Sequence, residues 1–182
     1  MELIRPTEIF VASYAEAILE DDLYREDNDN RHFRDPETVV DRSAKYEHGI
    51  GLPEGYVPAT TFWLIDQDHF IGEIGIRHEL TPALRKYGGH IGYEIRWSET
   101  RKGYGTQMLR MALPYCREEL HLEKVLITCD DDNIGSRKII ENNGGILEDK
   151  IINQLDRGTI LTRRYWIPLF SKIHEPSLPT LK

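Results

Sequence analysis

The sequence predicts an α/β (α+β) fold, a mixed and mostly antiparallel central sheet of six to seven strands flanked by about four helices. Three observations carry that prediction. Two β-rich segments, Thr60 to Ile65 and His69 to Arg77, flank the turn-forming Asp-Gln-Asp, as a hairpin does. A strand, a glycine-rich turn, an amphipathic helix and a further strand follow around Gly103. Two more β-rich segments, Ile146 to Gln154 and Gly158 to Ile167, close the fold.

Taken in order, Glu2 to Arg5 reads as a short strand. Thr7 to Glu20 places Ile9, Phe10, Tyr14, Ala17 and Ile18 near helical spacing. Asp21 to Arg34 is very polar and reads as irregular. Pro36 to His48 reads as a helix with Asp35 as its cap and Pro36 in the first turn, where a missing N–H is harmless. Gly49 to Pro58 is dense in breakers and reads as loop. After the hairpin and the loop Arg77 to His90, the segment His90 to Trp97 alternates as a strand. Tyr104 to Leu120 carries the stripe Met108, Leu109, Ala112, Tyr115 and Cys116, with Pro114 expected to kink or end the helix. Lys124 to Cys129 reads as a buried strand. Asn133 to Asn143 reads as a short helix capped by Asn133 and stopped by Gly144-Gly145. The strand–helix–strand order implies a right-handed crossover between parallel neighbours, with antiparallel hairpins either side.

Nothing in the 182 residues suggests a linker, so a single domain is expected over 1–182. Helices and acceptor-side loops occupy 1–57, the core sheet 58–167 and a tail 168–182. The 40% hydrophobic and 30% charged composition is that of an ordinary globular protein, without an apolar run long enough to span a membrane. Cys116 and Cys129 form no metal-ligand or redox motif and read as free buried thiols, which favours a cytoplasmic protein without a metal. The net charge of -8 argues against nucleic acid as partner and suits a cationic one.

Gly103 and Gly105 open a helix behind Arg101 and Lys102. The first-turn N–H groups of such a helix lack internal partners and attract an anion. The third glycine of a dinucleotide fingerprint is replaced by Met108, and the chain contains no triphosphate-binding loop. The surrounding Gly92 to Leu109 resembles motif A of the GNAT superfamily of N-acetyltransferases, in which [QR]-x-x-G-x-[GA] follows a strand. Thr128 to Gly145 resembles the next family motif, N-x-x-[AS] opening a helix that ends in glycine. The resemblance spans about Thr60 to Asp149, with Gly158 to Ile167 as the closing strand.

The resemblance implies a GNAT-like fold and an acetyl-CoA-dependent acetyl transfer to a primary amine of a small molecule or protein. Arg101, Lys102, Gly103, Tyr104, Gly105 and Thr106 would face the pyrophosphate. Ile95, Arg96 and Trp97 would pair by backbone with the pantetheine arm, and Asn133 and Ser136 would line it. Three positions depart from the family pattern. Thr100 stands at the [QR] position, and Ile140 stands where many members carry an acidic Tyr. Gly89 stands where protein-lysine acetyltransferases carry a basic Glu. The general base is then Glu94, His90 or His78, and Tyr93, Tyr104, Cys129 or solvent returns the proton to the thiolate. Alternatives are a CoA-binding module or inactive relative, and an acyltransferase using another acyl-CoA or an oxygen acceptor. The acids Asp21, Asp22 and Glu26 and the loop Arg77 to His90 are expected at the acceptor mouth. The strand edges at Arg163 to Ile167 offer a surface for a homodimer.

Overall fold

A computed structural model describes residues 1–24, 35–155 and 158–169. The expected strand at Glu2 pairs with the hairpin, so β1 (Glu2–Ile4), β2 (Ala59–Asp66), β3 (His69–Arg77) and β4 (Ile91–Ile95) form one sheet in that order. A second sheet holds β5 (Lys124–Asp130), β6 (Ile146–Leu155) and β7 (Gly158–Pro168) in the order β5-β7-β6. The α-helices are α1 (Val11–Tyr24), α2 (Val39–Glu47), α3 (Pro82–Lys86), α4 (Tyr104–Glu118) and α5 (Ile134–Glu141), with short 3-10 turns at Glu8–Phe10 and Trp97–Glu99.

Several expectations are corrected. Asp21 to Tyr24 is helical, extending α1, while the remainder of the expected irregular stretch, with Glu26, lies outside the described residues, as does most of the tail. Pro114 sits inside α4, which continues to Glu118. The loop after β3 contains α3, whose Thr81 hydroxyl accepts the Leu84 N–H at 3.2 Å, with Pro82 in the first turn. The helix expected from Pro36 begins only at Val39, with Thr38 in the capping position, and Asp35 accepts the Glu37 N–H at 3.0 Å in the turn before it. Arg163 to Ile167 lies in β7, which is bonded to β5 and β6 on its two sides, so the exposed edge of that sheet is β6.

The largest correction concerns the crossover. Among the described residues every ladder is antiparallel, and β4 and β5 share none. They touch through one bridge between Gly89 and Ile127. Gly88 and Gly89 take φ of 103° and 64°, turning the chain just before β4. A Cβ on Gly89 would also lie 2.4 Å from the Leu126 carbonyl oxygen. His90 completes the contact: its N–H donates to Leu126 O at 2.7 Å, and its Nδ1 accepts the Leu126 N–H at 2.9 Å. A side chain therefore takes the N–H that a parallel ladder would bond to a carbonyl.

Side-chain alternation along β2 separates two cores. Phe62 and Leu64 join Ile74, Ile76, Ile91, Met108, Leu109, Val125, Ile127 and Ile140 beneath α4 and α5. Trp63 and Ile65 face the other way, against Tyr14, Ala17, Val39 and Phe70 of the α1–α2 side. Tyr14 stacks on the Trp63 ring at 4.8 Å. Both cysteines are free and buried. Among the described residues no helix is long and apolar enough to cross a membrane, and no cluster is placed to hold a metal ion.

Candidate active site

The turn before α4 is built from two left-handed residues. Arg101 has φ 63° and Gly103 φ 89°, an arrangement that turns successive N–H groups toward one side. No side chain caps the helix. The bond from Gln107 N to Gly103 O (3.3 Å) begins the ladder, leaving Tyr104, Gly105 and Thr106 with first-turn N–H groups that have no intrahelical acceptor. The two glycines do different work. Gly103 is needed for its φ, since a Cβ there meets nothing within 4 Å. Gly105 is needed for packing, since its Cβ would lie 2.5 Å from Ile139 Cδ1 of α5. Asn143, which sequence reasoning missed, ties the same pair of helices by donating to Thr106 O and Ile139 O at 3.1 and 2.8 Å.

Among the charged neighbours, Lys102 pairs with Glu99 at 3.0 Å, while Arg101 has no ion pair among the described residues. Thr100 turns its hydroxyl back to donate to Trp97 O at 2.8 Å. Tyr104 donates its hydroxyl to Asp66 Oδ2 at 3.0 Å, and that carboxylate raises the phenol's pKa.

Register arithmetic fixes the direction of each β4 residue. Arg96 N–H donates to Ile71 O at 2.8 Å and Arg77 N–H to His90 O at 2.7 Å. Antiparallel alternation then turns the backbone groups of Glu94 and Gly92 toward β3, and those of Tyr93 and Ile95 toward the β5 side. Ile95 therefore turns its backbone groups toward the β5 side, whereas the Arg96 N–H is occupied by β3. The Arg96 guanidinium faces α1, donating from Nε to Glu20 Oε1 at 2.8 Å, and the pair raises its pKa and lowers that of Glu20. Trp97 stacks on Tyr24 of α1 at 6.1 Å.

Glu94 lies opposite Glu73 on the face turned to α1. Both line a cleft of about 40 Å³ with Tyr14, Ala17, Ile18, Asp21, Phe70 and Arg96, room for a few waters or an ammonium group. Trp63 Nε1–H donates to Glu73 Oε2 at 2.9 Å. The sequence places Glu73 on the strand before β4, but that it stands opposite Glu94 follows only from the register.

The other two candidate bases are placed elsewhere. His90 is buried, and burial with Arg85 and Arg77 nearby pushes its pKa down to about 4. Its Nδ1 lone pair already accepts from Leu126, which puts the neutral ring's proton on Nε2 and leaves no lone pair to take another. His78 Nε2 lies 2.8 Å from the buried Thr60 hydroxyl, which also meets Tyr115 and Glu47. That cluster sits six residues along β3 from the Gly72–Ile95 end, about 20 Å away at strand rise.

On the opposite face Tyr93 reaches α5, its hydroxyl 2.7 Å from Ser136 Oγ. Burial raises its pKa strongly. Asn133 caps α5 by accepting the Ser136 N–H at 2.9 Å. Burial likewise raises the Cys129 thiol's pKa. Ile140, at the position of the missing Tyr, is wholly buried in the core.

Comparisons with known proteins agree with this architecture. A curated relative, the uncharacterized N-acetyltransferase YnaD of Bacillus subtilis (strain 168), is 31% identical over 85 residues, which is 44% of this chain and 45% of that protein. The chain thus matches about half the length of that relative. RimL, a ribosomal L7/L12 alpha-N-protein acetyltransferase solved with coenzyme A, superimposes with a TM-score of 0.69 at 16% identity. The match covers 92% of this chain and 93% of RimL. A chimera of the spermidine N-acetyltransferase SpeG from Vibrio cholerae and hSSAT gives a TM-score of 0.62, also at 16% identity, over 93% and 97% of the two chains. At such identities these structures share the fold alone. A family model described as the acetyltransferase (GNAT) domain matches residues 10–146, and on that match the chain belongs to the GNAT acetyltransferase family.

Proposed function

We propose that the protein is an acetyl-CoA-dependent N-acetyltransferase acting on a primary amine from the α1 side of the sheet. The observation that carries this reading is the double placement made by β4. The strand presents Glu94 to the acidic cleft and leads, through one 3-10 turn at Trp97–Glu99, into the turn at Arg101–Thr106. Acetyl-CoA supplies the thioester. The first-turn amides of α4 and the Arg101 side chain would hold its pyrophosphate, with its arm against the β4 edge, near Asn133 and Ser136.

Asp21, Glu73 and Glu94 draw in the cationic amine. Glu94, directly or through a water, takes a proton so that the nitrogen attacks neutral. The N–C bond then forms, the C–S bond breaks, the thiolate leaves, and the nitrogen gives up its second proton to water. For the returning proton, Tyr93 and Cys129 are poor sources because burial holds their protons more tightly. Tyr104 is held by Asp66, so water supplies it. RimL acts on an N-terminal amine and SpeG on spermidine. The present cleft is acidic in the way either kind of acceptor would require.

The test is thiol release from acetyl-CoA against a panel of amines, with Glu94→Gln as the variant. We expect kcat to fall by about 10²–10⁴ with KM for acetyl-CoA unchanged. Full activity in Glu94→Gln would remove Glu94 as base. The buried Ile140 supports a second reading, a CoA-binding module, which predicts tight acetyl-CoA binding with no turnover of any acceptor.

A further inference from the structure

The register of β3 and β4 sets three rows on the acceptor face. Glu73 lies opposite Glu94, Gly75 opposite Gly92, and Arg77 beside His90, whose carbonyl accepts the Arg77 N–H. Steps of two residues keep all three rows on one face. The middle row has no side chains, and a Cβ built on either glycine meets nothing within 4 Å. The floor between the outer rows is bare backbone under open space, with Gly92 exposed. Neither glycine has a positive φ, so the backbone there would accept a side chain.

The two ends of this groove differ in charge. The carboxylate end is the acceptor cleft. At the other end Arg77 donates from Nη1 to Gly88 O (3.2 Å) and Gly89 O (3.1 Å), and it has no carboxylate partner among the described residues. His90 beside it is neutral, so it contributes no balancing charge, and Arg85 stands nearby on α3. Burial lowers the Arg77 pKa, the mark of a guanidinium that has lost water without gaining an anion. Such a group gains most from a bidentate carboxylate.

Building on the acetyl-transfer reading, we infer that the acceptor is an amine that carries a carboxylate on the same molecule. Its ammonium end lies at Glu73 and Glu94, its chain crosses Gly75 and Gly92, and its carboxylate meets Arg77. The outer rows are about 13 Å apart at the backbone, a span that an amine and a carboxylate several bonds apart fill with one hydrogen bond of about 3 Å at each end. Amine and carboxylate are therefore separated by several bonds, as in an ω-amino acid or a short peptide. An α-amino acid is too short, and a polyamine would bring its second cation against Arg77.

The experiment measures acetylation of 6-aminohexanoate, 6-aminohexanamide and spermidine by the full chain, the Gly92→Val variant and the Arg77→Gln variant. We expect 6-aminohexanoate to exceed its amide by about tenfold or more in kcat/KM. Arg77→Gln should abolish that preference. Gly92→Val, whose new side chain enters open space on a strand, should lower kcat/KM for 6-aminohexanoate by a similar factor without lowering Tm. Equal rates for the acid and its amide, or unchanged kinetics in Gly92→Val, overturn the inference while leaving acetyl transfer intact. Turnover of no amine overturns the acetyl-transfer reading instead. The groove is then judged by calorimetric titration, and equal or absent binding of 6-aminohexanoate and its amide overturns it.

Discussion

Acidification should weaken the join between the two sheets through one residue. Among the described residues, His90 is the only side chain just before β4 that bonds β5 backbone, and it does so as a neutral acceptor. In the unfolded chain its pKa returns to 6.5, against about 4 in the folded protein. The unfolded chain therefore binds the proton first as pH falls. Stability is fully present above pH 6.5 and is lost progressively between 6.5 and 4. Those two values give a loss of about 2 kcal/mol between pH 7 and pH 5, or about 4–8 °C in Tm for a chain of this size. His90→Asn isolates the effect, because the Asn oxygen can accept the same N–H and cannot titrate. Glu20 and Glu47, lowered by Arg96 and Arg5, hold their contribution until pH falls below about 4.5, which lies outside the comparison of pH 7 with pH 5. The assay is urea denaturation at pH 7 and pH 5 on both proteins, with NMR titration of the ring. Equal acid losses in the two proteins, or a ring titrating near 6.5, would refute the reasoning.

Two further outcomes concern packing. Gly105→Val drives its side chain into Ile139 at the α4–α5 contact and should lower unfolding free energy by about 1–3 kcal/mol, read by denaturant midpoint. Thr60→Val removes a wholly buried hydroxyl with His78 and Tyr115 each at 2.8 Å. Leaving those partners short of a bond should lower stability by about 1–3 kcal/mol, and a loss under 0.5 kcal/mol would show that water replaces the hydroxyl.

How much of this was legible in the sequence depends on the range of the physics involved. The hairpin, the α4 stripe and the capped α5 are set by local periodicity, and all were readable. The short α3 was also locally signalled by Thr81-Pro82, yet lay in a stretch read as loop. Pro114 misled because tertiary packing of Met108, Leu109, Ala112 and Cys116 holds the helix through it. The split between β4 and β5 was not readable, since it depends on His90 meeting Leu126, 36 residues away in the chain. Within the site, the turn could be located from its glycines, but the positive φ of Arg101 and the distinct role of Gly105 required coordinates. Glu94 could be nominated as a strand carboxylate. Its association with Glu73 and Asp21 is a matter of register and helix docking.

The parity of β4 organises these results and makes them separable. Ile91, Tyr93 and Ile95 turn toward the core under α4 and α5, while Gly92, Glu94 and Arg96 turn toward α1. Backbone groups follow the same count, so the odd residues point their N–H and C=O toward the β5 side. A strand with β-partners on both sides would have that edge occupied by a ladder. Here the turn at Gly88-Gly89 and the His90 clasp hold β5 to the first residues of β4 only. A one-residue slip of β4 would exchange all three directions at once, placing Tyr93 in the acidic cleft and Glu94 in the core. Gly72 permits the observed register, because a Cβ there would lie 2.4 Å from the Glu94 carbonyl oxygen. The glycine that allows β4 to pair this closely thus also allows Glu94 to face the cleft.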